Sequence, residues 1–247
     1  TNTGQPSVVV GNFANEMIGV FRHSGDGLFV DRASISNIGE NSLRVLTFGL
    51  FLFDVELDGD LDLFAANGHI KPGLEKIQNE IHYEQLPKLY LNDGDGSFTP
   101  FESGAGVLTQ RYVGRGAAHA DIDRDGDLDI LVTENGGSAH LWENTSRGGH
   151  YLHVVLEGQS SNAEGIGSRV RALIGQEKVT RFMHTGSSYL SHSGTSVSFG
   201  LGEATKVDSL IVHWPSGQVD RFTDVPADQH LRIREGSSTV EPVAAAH

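Results

Sequence analysis

DVELDGDLDLFAANGH (54–69) sets five carboxylates, Asp54, Glu56, Asp58, Asp60 and Asp62, into nine residues and then turns abruptly apolar. DIDRDGDLDILVTENGG (121–137) repeats the arrangement with Asp121, Asp123, Asp125, Asp127 and Asp129. Like charges this dense repel one another; a single such stretch reads as a solvated acidic turn, but a pattern used twice, each time against a segment that reads as a buried strand, favours a bound cation over two solvated turns.

The spacing says which cation. Calcium takes about six to eight oxygen ligands, and a loop supplies them best from alternate positions. Positions 1, 3, 5 and 9 are carboxylates in both loops: Asp54, Glu56, Asp58 and Asp62 in the first, Asp121, Asp123, Asp125 and Asp129 in the second. Gly59 and Gly126 stand at position 6, where the chain must bend sharply, and the carbonyls of Asp60 and Asp127 follow at position 7. An EF-hand needs a glutamate at position 12 and a helix after it. Position 12 is Ala65 in one loop and Val132 in the other, each inside a strand-like run, which leaves a calcium loop between β-strands. Two Ca2+ sites are expected. Glu56 is the weaker ligand because its extra methylene changes its reach, and Arg124 weakens the negative field of the second loop.

Composition agrees with a local cation rather than a polyanionic partner. The 247 residues carry 32 Asp plus Glu against 18 Lys plus Arg, a formal charge of −14, and ten of the acidic side chains lie in the two loops. Nucleic-acid binding demands the opposite sign. A hydrophobic content of 38% suffices for a buried core, and no run approaches the roughly 18 apolar residues of a membrane span. The first residues, TNTGQPS, carry neither the basic region nor the apolar stretch of a signal peptide, so any targeting segment is expected to have been removed or to lie upstream. Without cysteine there are no disulfides and no thiolate metal sites.

Three segments overlay as strand, turn, strand, turn: from Ser7, from Asp62 with Lys88, and from Asp129. SGDG (24–27) and NDGDG (92–96) are tight-turn sequences within them. HIKPGLEKIQNEIHYEQLP (69–87) interrupts the series, and its Leu74, Ile77 and Ile81 predict a short amphipathic helix. Without it the unit is the size of a propeller blade. The hairpin series ends near residue 147. Short strands then continue in YLHVVLE, RVRALIG, VTRFMH, SVSFG, DSLIVHW and HLRIRE, predicting a β-sandwich or barrel-like domain over 148–236, with Val170, Leu173, Phe199, Leu210, Val212 and Phe222 in its core. Residues 237–247 read as a flexible tail.

At the acidic loops the sequence resembles the calcium-loop repeats of the FG-GAP and VCBS type, and NGHIKPGLEKI with KLYLNDGDGSF is similar to the central repeat of proteins like cartilage acidic protein. GIGSRVRALIG (165–175), GSSYLSHSG (186–194), VSFGLGEATKVDSLIVHWPSGQVDRF (197–222) and ADQHLRI (227–233) resemble the ASPIC/UnbV domain. The resemblance implies an all-β chain: a partial β-propeller of FG-GAP/VCBS-type blades over 1–147, followed by the smaller β-domain. It also implies an extracellular, periplasmic or cell-surface location and a calcium-binding module for adhesion or assembly, meeting a protein or glycan ligand without catalysis of its own. An enzyme or accessory subunit acting on extracellular glycans is the alternative, and a structural subunit of a larger assembly is another. Three hairpin units are fewer than a closed propeller needs. Further blades from upstream residues or a partner chain are therefore expected beside Val8–Val10.

Other constellations carry less. His150 with His153 is the one close histidine pair, and with no third ligand in view it does not make a zinc site. No GxSxG elbow accompanies a serine, and GRGAAHAD (114–121) leads into an acidic turn rather than a helix N-terminus. GSSYLSHSG, with Tyr189 and His192, reads as a polar turn in preference to a sugar platform. Trp142 and Trp214 lie in apolar patterns as core residues, and Asn144-Thr145-Ser146 fits a glycosylation sequon.

Overall fold

A computed structural model describes residues 6–102, 106–146 and 148–243. Strands dominate, arranged in five antiparallel or mixed sheets. The first sheet holds β1 (Ser7–Val10), β2 (Gly19–Gly25) and β3 (Leu28–Asp31), followed by the five-residue helix α1 (Ile38–Ser42). The second has the order β4 (Thr47–Phe53), β5 (Asp62–Asn67), β6 (Lys88–Asn92), β7 (Phe98–Pro100), and the third has β8 (Gly114–Ala120), β9 (Asp129–Glu134), β10 (Ala139–Trp142). The two acidic loops occupy equivalent places, joining β4 to β5 and β8 to β9. Turn for turn, β1–β3 correspond to β5–β7, because SGDG joins β2 to β3 as NDGDG joins β6 to β7.

These sheets stack face to face as blades do, and β5 shows why. Successive side chains on a strand point to opposite faces. Leu63 and Ala65 enter a core with Ile18, Val20, Ile38, Tyr90 and Phe98 toward the first sheet. Phe64 and Ala66 enter another with Phe51, Phe53, Ala117, Ile130, Val132 and Trp142 toward the third. Every residue of β5 is buried, so its sequence DLFAAN shows no polar alternation.

Two four-stranded sheets complete the fold. After β11 (His150–Glu157), β12 (Arg169–Ile174), β13 (Glu177–Phe182), β14 (Ser196–Gly202), β15 (Lys206–His213), β16 (Val219–Pro226), β17 (Gln229–Arg234) and β18 (Glu241–Pro242), the orders are β14-β11-β17-β18 and β13-β12-β15-β16. Leu152, Val154, Phe199, Leu231 and Ile233 of one sheet meet Val170, Ala172, Leu210, Val212 and Phe222 of the other in a single core, a sandwich.

Three expectations need correction. Residues 69–87 form no amphipathic helix: the segment makes one 3-10 turn, Leu74–Lys76, behind a left-handed Gly73. Its ends are tied together, Gly68 bridging Glu84 and the His69 N–H donating to the Tyr83 carbonyl at 2.9 Å. Leu74 and Ile81 are buried while Ile77 is 71% exposed, so the three share no face. Leu173 is absent from the sandwich core because Val170, Ala172 and Ile174 take the inward parity of β12. The C-terminal stretch is ordered to residue 243: Val240 packs on the core and β18 pairs with β17, Arg232 opposite Glu241. Residues 244–247 of the predicted tail lie outside the described residues.

Candidate metal centre

The two acidic loops share one backbone scaffold. Leu57 and Arg124 take positive φ (58° and 66°), as do Gly59 and Gly126 two residues later (97° and 103°). A left-handed non-glycine residue is strained, and here the carboxylates fix it in place. The last aspartate ties each loop to its own sheet. Asp62 accepts the N–H of Val55 (2.8 Å) and of Asn92 (2.8 Å), and Asp129 accepts those of Ile122 (3.0 Å) and Asn144 (2.9 Å). The first aspartate accepts the glycine N–H, Gly59 to Asp54 at 2.9 Å and Gly126 to Asp121 at 3.1 Å. In the middle, Asp60 N–H donates to Asp58, Asp125 N–H to Asp123, and Asp127 N–H to Asp125.

Backbone donors thus hold Asp54, Asp58, Asp62, Asp121, Asp123, Asp125 and Asp129, while like charges stay crowded within each loop. Burial pushes Asp54 and Asp62 up to about 7 against these hydrogen bonds, and Asp127 also reaches about 7, through burial and then the charge of Asp125. Glu56, Asp60 and Asp121 are raised as well, burial being the largest cause in each. A bound divalent cation removes that penalty.

The second loop is the better formed site. Asp121, Asp123 and Asp125 each bring a carboxylate oxygen within 4.8 Å of the others. Asp121 Oδ1 and Asp127 Oδ1 are buried without a hydrogen-bond partner, a rare and costly state that a coordinated cation resolves. Hard oxygen donors of this kind fit calcium. In the first loop Glu56 replaces the second aspartate, and the guanidinium of Arg181 sits close enough to Asp54 to lower its carboxyl against the burial effect.

The sandwich closes over both loops at the same atom. Arg181 Nη2 donates to the Gly59 carbonyl at 2.9 Å, and His153 Nε2 lies 2.9 Å from the Gly126 carbonyl. Gly202 N–H donates to the Leu57 carbonyl at 2.9 Å, and a Cβ at Gly200 would lie 2.2 Å from Asp54 Oδ2, so only glycine allows β14 to approach this closely. His230 Nε2 reaches Asp121 Oδ2 at 3.1 Å. Reading the sequence did not find Arg181 or His230, and it weighed His153 only with His150, not with the acidic loop. The one available signal was parity: His153 and His230 alternate with core residues on strands that otherwise bury apolar side chains.

The remaining predicted groups fall elsewhere. His150 turns away from His153 to Asp228, Nδ1 at 2.7 Å from Oδ2. GSSYLSHSG is the connection between β13 and β14; its Ser188 bridges Ser191, and Ser188 Oγ accepts the Leu50 N–H at 2.9 Å. Trp142 and Trp214 are buried, the latter donating to Asp220 at 2.7 Å. Asn144 of the sequon spends its amide on the Val55 carbonyl at 2.9 Å, helping to hold the first loop.

Residues 54–132 match the family model described as an FG-GAP-like repeat, and residues 158–240 match that described as ASPIC and UnbV. No curated protein matches the chain. The order of the two matches fits an extracellular binding or adhesion module. No helix among the described residues is long and apolar enough to cross a membrane.

Proposed function

We propose that this chain, an FG-GAP-like repeat followed by an ASPIC/UnbV domain, is a calcium-braced binding module of an extracytoplasmic protein, without catalysis of its own. The observation that carries the reading is the position of the acidic loops: both lie where the blade-like sheets meet the sandwich. Calcium there would neutralise Asp54, Glu56, Asp58, Asp60 and Asp62 in one loop and Asp121, Asp123, Asp125, Asp127 and Asp129 in the other. The second loop would be the tighter site, since its carboxylates converge. The first would be weaker, opposed by the positive field of Arg181.

The same junction offers a place for a ligand. A cavity of about 520 Å³ runs between the blade strands and the sandwich, with Leu50 and Leu52 on one side and His184, His192, Ser187 and Ser198 on the other. Mixed apolar and hydroxyl lining suits a sugar or a polar peptide segment, and it is the observation that favours the second reading, an accessory subunit acting on glycans. A glycan array and a pull-down, each run in calcium and in chelator, test both. Calcium-dependent capture without product formation supports a binding module, product formation supports the glycan enzyme, and capture indifferent to calcium removes the bracing role.

A further inference from the structure

Beside the second acidic loop lies a group of side chains that calcium would not use. β11 and β17 run parallel with His153 opposite His230. Their rings stack, centroids 4.8 Å apart and planes at 22°. Both Nε2 atoms approach one oxygen: Asp121 Oδ2 is 3.1 Å from His230 and 3.6 Å from His153. Leu152 and Val154 on either side of His153, and Leu231 and Ile233 after His230, point into the sandwich, so strand parity turns both imidazoles toward the loop.

We propose that Asp121, His153 and His230 form a transition-metal site of the zinc class, adjoining the calcium loop and sharing Asp121 with it. Imidazole suits zinc, copper or nickel, whereas calcium takes oxygen. Two ligand atoms bound to one tetrahedral zinc at its usual bond lengths stand about 3.3 Å apart. The two separations found here lie on either side of that value. The His230 Nε2 contact, though short, is not aligned as a hydrogen bond, so a simple ring-to-carboxylate bond does not explain it.

The surroundings serve a metal ligand well. His153 Nδ1 is 2.8 Å from Ser198 Oγ, and a hydroxyl can accept Nδ1–H, which leaves the Nε2 lone pair for the ion. Nε2 faces the Gly126 carbonyl at 2.9 Å, so an ion on Nε2 would take the place of that hydrogen bond. Asp121 turns Oδ2, which also accepts the Gly126 N–H at 3.1 Å, toward the histidines, leaving Oδ1, which accepts no hydrogen bond, for the loop cation. Its side chain is only 5% exposed, while His230 at 22% leaves a path from solvent.

The test titrates the full chain with Zn2+ and, separately, with Co2+ as a spectroscopic probe, both at saturating Ca2+ and in its absence. The expected result is one tightly held zinc per chain in both conditions, a tetrahedral cobalt spectrum, and loss of both signals in His230→Ala with calcium uptake preserved. His153→Gln, checked for folding by circular dichroism, should lose them too. Folded wild type that retains no zinc, or zinc uptake unchanged in folded His230→Ala, overturns the proposal. So does a His230→Ala that loses only calcium in a protein that never held zinc, since the histidines would then merely orient Asp121. Because zinc is measured without calcium as well, failure of the calcium reading shows separately.

Discussion

Arg181 donates from Nη2 to the carbonyl oxygen of Gly59 at 2.9 Å, across 122 positions of sequence. The guanidinium is buried, lies over the Phe199 ring with Cζ 5.8 Å from its centroid, and faces Asp54, Asp60 and Asp58. A strand of the sandwich therefore supplies the positive charge that the first acidic loop lacks internally.

Arg181→Met should unfold at markedly lower denaturant than wild type. Losing the buried donor leaves the Gly59 carbonyl unpaired, at a cost of about 1 to 3 kcal/mol, and removes the positive field beside Asp54. Chemical unfolding in chelator measures the loss directly. Added calcium should restore part of it, since the ion replaces the missing cation; a variant as stable as wild type in chelator would contradict this role.

The packing of the second sheet on the third predicts a separate weakness. Phe64 is fully buried and touches the Phe51 and Trp142 rings, with centroids 5.2 and 5.9 Å away. Phe64→Ala should cost about 3 to 5 kcal/mol by equilibrium unfolding, from lost burial and the cavity left behind. The exposed Ile77→Ala is the control and should change stability by less than about 0.5 kcal/mol.

Acid should attack the sandwich through Glu235. Burial raises this carboxyl, but the hydroxyls of Ser216 and Ser161 and the N–H groups of Gln159, Ser160 and Ser161, each N–H at 2.7 Å, outweigh it and hold the group at about 2. A depressed folded-state value means the unfolded chain binds the proton first. The stabilisation is thus complete above the ordinary value of 4.5 and is lost as pH falls toward 2. Melting temperature measured across that window should drop more steeply in wild type than in Glu235→Gln, which lacks the titrating group. Equal slopes would show that Glu235 contributes nothing to the acid response.

How far the sequence foretold this depends on the kind of signal. The loops were legible because their ligands lie within nine residues, and the turns because SGDG and NDGDG carry their conformations locally. The strands ahead of the loops, β4 and β8, were implied by the loops but not delimited. TFGLFLF gives an apolar run without alternation, and GRGAAHA has the small residues that strands usually avoid, tolerated here because neighbouring sheets cover it. The helix expected near residues 69–87 failed because tertiary pairing at both ends overrode its periodicity. Arg181, His153 and His230 could not have been assigned to the loops, since only the docking of the sandwich brings them there.

Thermal unfolding of the full chain with saturating calcium and then with chelator tests the central claim most directly. Calcium held only by the folded state at 100 times its dissociation constant contributes about 2.7 kcal/mol per site. The account predicts a clear fall in melting temperature in chelator, with Asp125→Ala removing the larger part of the calcium response and Asp58→Ala the smaller. Superimposable curves with and without chelator, in wild type and both variants alike, would contradict it.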